Sequence, residues 1–265
     1  VIDTYPDQDA LSFILEHSKS NGGGPYNLLK DFVSLGVDFS LRASGLVGDD
    51  DDGNWIIKDC LDGGIDASGL IKTNLASTSY TDAMSVLSTG RRTFFHHEGA
   101  NSLFDEKSVN LSVGGNKYFY LGYLLLLESL DKVRENGRTG ASELLSKASN
   151  SGFINIVDLV SAQLGDYQSV VLPSLPEIDV LFLNEFEAGS LLASEVKDSD
   201  LRSLLNAARN VLDMGVRHSV VLHSSSGAVA VSSSGDTAFG GSVKLPKEMI
   251  KGAAGAGDAF KNYLR

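Results

Sequence analysis

Gly252-Ala253-Ala254-Gly255-Ala256-Gly257-Asp258-Ala259-Phe260 is the most informative stretch of this chain. Small residues let a backbone approach a phosphate closely. A helix opening at Gly255 would aim its free N–H groups and its dipole at an anion. Asp258, just inside that turn, would stand beside a reacting phosphate and could accept a proton from an attacking hydroxyl. The same residues also fit a plain glycine- and alanine-rich helix start in which Asp258 only completes a cap.

Upstream, short apolar strands alternate with amphipathic stretches, the pattern of a largely parallel sheet with crossover helices. Residues 153–158, 180–184 and 219–223 read as buried strands, each ending in a polar residue: Asp158, Asn184 and His223. Ligands of open parallel sheets sit beyond the carboxyl ends of the strands. These three residues therefore point to one site edge. Residues 118–127, the most apolar stretch, read as a buried strand and its exit. A helix is expected over 26–35, where Leu28, Leu29, Phe32, Val33 and Leu35 share a side, and another over 142–149 around Leu144, Leu145 and Ala148. Asp200 can cap a helix with the stripe Leu201, Leu204, Leu205, Ala208, Val211 and Leu212, stopped by Gly215. Segments 11–20 and 78–97 carry strand character without a crossover helix. Gly90-Arg91, between Met84-Ser85-Val86-Leu87 and Thr93-Phe94-Phe95, reads as a hairpin turn. Both segments are expected to join in one small β lid.

The 265 residues, 42% of them hydrophobic, suit a single large α/β domain over 1–265 with a sizeable core. A net charge of −12 repels phosphate backbones and excludes general nucleic-acid binding. An anionic substrate then needs a local site of N–H groups or basic side chains. The single cysteine, Cys60, allows no intrachain disulfide. It lies in the apolar Trp55-Ile56-Ile57-Lys58-Asp59-Cys60-Leu61 and reads as a buried structural thiol. No apolar run reaches the roughly 18 residues of a membrane span, and no signal peptide is visible. A cytoplasmic location without membrane contact is the expectation.

Further stretches carry ligand chemistry. Asn21-Gly22-Gly23-Gly24-Pro25-Tyr26-Asn27 precedes the first helix. Gly22 and Gly23 would let hydroxyls approach the backbone, and Asn27 can donate and accept at once; a simple glycine-rich turn is the other reading. Gly45-Leu46-Val47-Gly48-Asp49-Asp50-Asp51-Asp52-Gly53 gathers carboxylates. A calcium loop aligned on Gly53 fails, because its first and last places fall on Gly48 and Asp59 instead of Asp and Glu. In Asn184-Glu185-Phe186-Glu187 a carboxylate could hold metal-bound water while Asn184 touches a phosphate oxygen; a solvated helix start is the alternative. His96-His97-Glu98 lacks zincin spacing, and Arg91 and Arg92 read as solvated charge.

In this order along the chain, the stretches resemble the ribokinase-like (PfkB) family of carbohydrate kinases. Gly255-Ala256-Gly257-Asp258 matches its signature core, Gly22 to Asn27 its Gly-Gly-x-Pro-x-Asn, Gly45 to Gly53 its Gly-x-Val-Gly-x-Asp-x-x-Gly, and Asn184 with Glu187 its Asn-x-x-Glu. The resemblance implies a three-layer ribokinase-like α/β fold with a β lid, and an ATP-dependent sugar kinase. It implies Asp258 as general base, with Gly255, Ala256 and Gly257 forming the anion hole. Asp3, Gly22, Gly23 and Asn27 would bind the sugar. Asn184, Glu187, Ser224 and Gly227 would face the nucleotide, with Glu187 reaching Mg²⁺ directly or through water. A monovalent cation is a further candidate, and a homodimer through the lid is implied. Gly252-Ala253 stand where members commonly have Asp-Thr, and Leu222 and Ser224 replace Thr and the first Gly of Thr-x-Gly-x-x-Gly. Asp158-Leu159-Val160-Ser161 has an Asp where members touch ligand but lacks their Arg, and it receives no role here. A nucleoside kinase and a non-catalytic sugar or nucleotide sensor share these expectations. Members carry more elements after the core than residues 259–265 supply, so missing chain at one end or both is expected.

Overall fold

Leu181, Phe182 and Leu183 are buried in succession, and so are Val220, Val221 and Leu222. Successive side chains of a strand point to opposite faces. The sheet at these strands is therefore covered on both sides, which makes three layers. The computed structural model describes residues 1–112, 115, 117–162, 165–198, 200–244, 246 and 260.

The first half of the chain holds α1 (Gly24–Ser34), β1 (Arg42–Gly48), α2 (Asp51–Asp62), β2 (Asp66–Thr73), β3 (Tyr80–Ser85), β4 (Arg92–His97) and β5 (Tyr118–Leu124). Then come α3 (Glu128–Asp131), α4 (Gly140–Asn150), β6 (Ile154–Leu159), α5 (Tyr167–Val171), β7 (Val180–Asn184), α6 (Glu185–Leu192), α7 (Leu201–Asp213), β8 (Ser219–Ser224), β9 (Gly227–Ser232) and β10 (Thr237–Gly241). The main sheet has the order β10-β9-β8-β7-β6-β5. Strands β5 to β8 are parallel, and β9 and β10 continue antiparallel. Strands β1 and β2 pair in parallel, and β3 and β4 form a hairpin.

The periodic segments fold as expected. The three strands read over 153–158, 180–184 and 219–223 are β6, β7 and β8. Asp200 caps α7 through the Arg202 N–H, and Leu204, Ala208 and Val211 are buried. Leu144, Leu145 and Ala148 of α4 join the main core. Cys60 is buried with Ile65 and Ala67 in a second, small core, and burial pushes its thiol pKa up. Helix α1 departs from its expected stripe. Leu29 packs on the small core, but Val33 and Leu35 are 37% and 43% exposed. That core is too narrow to cover the last turn of the helix.

The hairpin also forms, with Gly90 donating to Val86 and Val86 to Arg91. Segment 11–20 does not join it as a strand. Its apolar residues Leu11, Phe13, Ile14 and Leu15 are exposed. Strand preference registers packing against a neighbouring strand, and the place beside the hairpin belongs to Ile2, which bridges Val86 in parallel. Among the described residues no helix is long and apolar enough to cross a membrane.

The turn from β1 into α2 is pinned from a distance. Asp50 caps α2 by accepting from Gly53 N at 2.8 Å. It also accepts from Thr78 N at 2.7 Å and Thr78 Oγ1 at 2.6 Å. A Cβ on Gly48 would strike Asp50 and the Thr78 backbone, and one on Gly53 would strike the Gly48 carbonyl. The carboxylate-rich run is thus an architectural joint.

Candidate active site

Strand β7 ends at Asn184, which is still extended and serves as N-cap of α6. Asn184 Oδ1 accepts from Glu187 N, and Glu187 Oε2 accepts from Asn184 N, each at 2.9 Å. This reciprocal pair is a capping box and gives the Asn-x-x-Glu spacing a local cause. Glu187 is only 3% exposed, so the solvated reading of this helix start fails. Its Oε1 accepts from Asn184 Nδ2 and from Ser161 Oγ, both at 2.9 Å. Asn184 Nδ2 also donates to Ser161 Oγ at 2.8 Å.

An open cleft of about 340 Å³ lies at this edge, lined by Ser161, Asn184, Phe186, His223, Ser224 and Ser225. Parallel pairing sets Asn184 beside His223. The His223 ring also meets Phe260, with centroids 5.4 Å apart. Ser224 Oγ donates to the Asp198 carbonyl at 3.2 Å and lies 3.4 Å from the Gly227 carbonyl. Gly227 pairs with Ser224 and Gly241, where a Cβ would strike the Gly240 carbonyl. Its lack of a side chain answers strand packing. Leu222 is fully buried in the core. Asp158 stands one register place short of the edge, opposite Phe182; it is buried and accepts from Tyr120 OH at 3.2 Å.

At the start of α1, Gly23 caps the helix at φ 91° and its carbonyl accepts from Asn27 N at 2.9 Å. Gly22 and Gly23 are exposed, and a Cβ on either would meet no described atom within 4 Å. Gly24 is buried beneath the Tyr123 ring. Asn21 Nδ2 and Tyr26 OH both donate to Asp59 Oδ2, tying α1 to α2. Burial and then the Asp59 contact raise the Tyr26 phenol pKa, while that hydrogen bond lowers the Asp59 carboxyl. Asp3 is exposed near the hairpin turn, where its carbonyl accepts from Ser88 Oγ. Asp258, Gly255, Ala256 and Gly257 lie outside the described residues.

A second hollow of about 540 Å³ lies at the base of the hairpin beside Ser77, His96, His97 and Glu98. His97 Nε2 pairs with Ser77 Oγ and His96 Nδ1 with Thr81 Oγ1. Among the described residues no group of three or more His, Cys, Asp or Glu could hold a metal. The structure thus brings Asn184 and Ser224 to one cleft, with Glu187 buried behind Asn184 and bonded to it; it places Gly22, Gly23 and Asn27 at the start of α1 and Asp3 by the hairpin. Ser161 went without a role on sequence alone. Its only signal is that it is the first polar residue beyond the apolar end of β6.

The solved structures similar to this chain include a fructokinase from Xylella fastidiosa with bound ATP, at 19% identity and TM-score 0.70, covering 91% of this chain and 71% of that one. A ribokinase from Thermotoga maritima aligns at 16% identity and TM-score 0.77 over 98% of this chain and 78% of that one. Phosphofructokinase-2 from Escherichia coli, in complex with substrates and products, aligns at 19% identity and TM-score 0.75 over 98% and 79%. These likenesses establish a ribokinase-like fold. No curated protein matches the chain. The family model for pfkB family carbohydrate kinase matches residues 4–261, nearly the full length given, and the chain belongs to that family.

Proposed function

We propose that this protein transfers the γ-phosphoryl group of ATP to a hydroxyl of a free sugar. The observation that carries this reading is Asn184, which lines the cleft at the carboxyl edge of a parallel sheet where ligands gather and is bonded to the buried Glu187 behind it. Asn184, Glu187 and Ser224 face the nucleotide, and Gly227 shapes the strand start beneath them. Glu187 fits Mg²⁺ through a bound water, since Mg²⁺ keeps several waters and uses one or two carboxylates with substrate phosphates. When bound, Mg²⁺ supplies charge neutralisation at the phosphate oxygens. A monovalent cation is a further ligand in this proposal.

The acceptor end is built on α1. Gly22 answers no packing demand among the described residues, which favours close approach by a ligand. Asn27 and Asp3 complete the sugar contacts. Asp258 accepts the hydroxyl proton, and the backbone of Gly255, Ala256 and Gly257 receives the transferring phosphoryl charge. Phe260, two places after Asp258 in sequence, touches His223 at the cleft, which supports the same neighbourhood. A cytoplasmic location belongs to the same proposal, and a chain whose one cysteine allows no intrachain disulfide agrees with it.

An ADP-release screen over sugars and nucleosides at millimolar nucleotide tests the proposal. The expected result is turnover of at least one free sugar that needs both ATP and Mg²⁺. Buried Leu222 offers the nucleotide nothing, so a raised KM for ATP is expected. Asp258→Asn should lower turnover at least ~10²-fold while sugar binding persists. Turnover of nucleosides alone would make the enzyme a nucleoside kinase. Tight sugar binding with no product from any nucleotide would make it a sensor.

A further inference from the structure

Ser161 lies beyond the end of β6, yet its hydroxyl is bonded to the capping box of α6. That box already fixes Asn184 Oδ1 on the Glu187 amide and Glu187 Oε2 on the Asn184 amide. The Asn184 amide nitrogen has two hydrogens. One goes to Glu187 Oε1 and the other to Ser161 Oγ. The single hydrogen of the Ser161 hydroxyl then returns to Glu187 Oε1. The three groups close a ring that joins the exits of β6 and β7, and both Ser161 and Asn184 line the cleft. Donors from two elements hold the Glu187 carboxylate in one orientation although it is almost wholly buried.

We infer that Ser161 is a positioning residue for the nucleotide and metal end of the site. It acts through Glu187, whose carboxylate it holds in the orientation in which that group would accept from a metal-bound water. The inference rests on the phosphotransfer reading above. Charge-assisted hydrogen bonds of this kind are the stronger ones, so losing the hydroxyl should be felt at the metal before it is felt in the fold. The capping box survives in Ser161→Ala.

The test compares Ser161→Ala, Ser161→Thr and Glu187→Gln. At saturating ATP the alanine variant should need about tenfold more Mg²⁺ for half-maximal rate, the loss of one hydrogen bond to a charged group. Its KM for sugar should not change, and threonine should restore the Mg²⁺ requirement. Binding of Mn²⁺ with ADP, followed by electron paramagnetic resonance, should weaken by a similar factor without any turnover. Unchanged Mg²⁺ and Mn²⁺ behaviour in Ser161→Ala, with Glu187→Gln impaired, would overturn the role of Ser161 alone. Equal loss of sugar binding and Mn²⁺–ADP binding would reduce Ser161 to a structural residue. If Glu187→Gln binds Mn²⁺–ADP normally, the metal end itself has been misplaced and the phosphotransfer reading loses its main support.

Discussion

Asp50 accepts hydrogen bonds from Gly53 N, Thr78 N and Thr78 Oγ1. Together they hold its carboxyl below the ordinary carboxylate range, the Thr78 hydroxyl contributing most. Asp50→Ala would remove the cap of α2 and strand the Thr78 donors. The expected cost is roughly 2–4 kcal/mol in urea unfolding, against little for the exposed neighbour Asp51→Ala. The pH dependence follows from the depressed folded pKa. What Asp50 adds is complete above the unfolded carboxylate value near ~4 and is lost as pH falls through the folded one. Asp50→Asn should therefore show a shallower acid limb than the parent. Identical acid limbs would refute the role given to the carboxylate. The spacing around Asp50 was legible in sequence, but Thr78 was not. The two are 28 residues apart, and only tertiary packing brings them together. Ser161 escaped for the same reason, being 26 residues from Glu187. Asn184 and Glu187 sit within one helical turn, and their pairing could be read from the chain.

Element α3 is short, and its last residue closes it. Asp131 reaches back so that Oδ1 accepts from Leu125 N at 3.1 Å and Oδ2 from Leu127 N at 2.8 Å. Leu125 is in the left-handed region at φ 75°, and these bonds help hold it there. Burial lifts the Asp131 carboxyl to about 6, with the charge of Glu98 adding and the two N–H groups opposing. Here the sign is reversed from Asp50. Between pH ~4 and about 6 the unfolded chain has released this proton and the folded one retains it. The contribution of Asp131 to stability should fall across that window, by roughly 3 kcal/mol, and stay level above it. Two measurements check this: a carboxyl carbon titration with its midpoint near the raised value, and the loss of the slope in Asp131→Asn. A midpoint at the ordinary carboxylate value would end the claim. Elements with strong periodicity, such as α4 and α7, were readable because one helix face meets one core. Segment 11–20 forms no strand, although Leu15 and Glu16 exchange backbone hydrogen bonds with Val1, next to the Ile2 that bridges the hairpin; a strand needs a partner along its length, and partners are not written in the segment itself.

The α/β architecture could be read at the scale of the whole molecule, because alternating buried strands and amphipathic helices admit few arrangements. The hairpin β3–β4 was legible too, and only the family resemblance, not the hairpin's own residues, spoke of what covers it. A two-stranded hairpin alone is marginal in water. Tyr80, Leu87, Phe94 and Phe95 are each half exposed or more. Phe94 and Phe95 are adjacent in β4 and so face opposite sides, paired with Ala83 and Asp82. Apolar side chains thus stand uncovered on both faces, and Leu11, Phe13 and Ile14 are exposed as well. A second copy of the chain, docked hairpin to hairpin, would cover them, and this is the homodimer we propose. Each copy carries a charge of −12, so association would be driven by apolar burial against net repulsion. Salt screens such repulsion. Light scattering at micromolar concentration should give twice the chain mass, and moderate salt should tighten the dimer. Phe94→Ser combined with Phe95→Ser should give a single-chain mass and an unfolding temperature independent of protein concentration, whereas the parent's should rise with it. A parent that stays monomeric in moderate salt would leave the hairpin for another partner, and a dimer that salt dissociates would show that ion pairs, not these aromatic side chains, hold it.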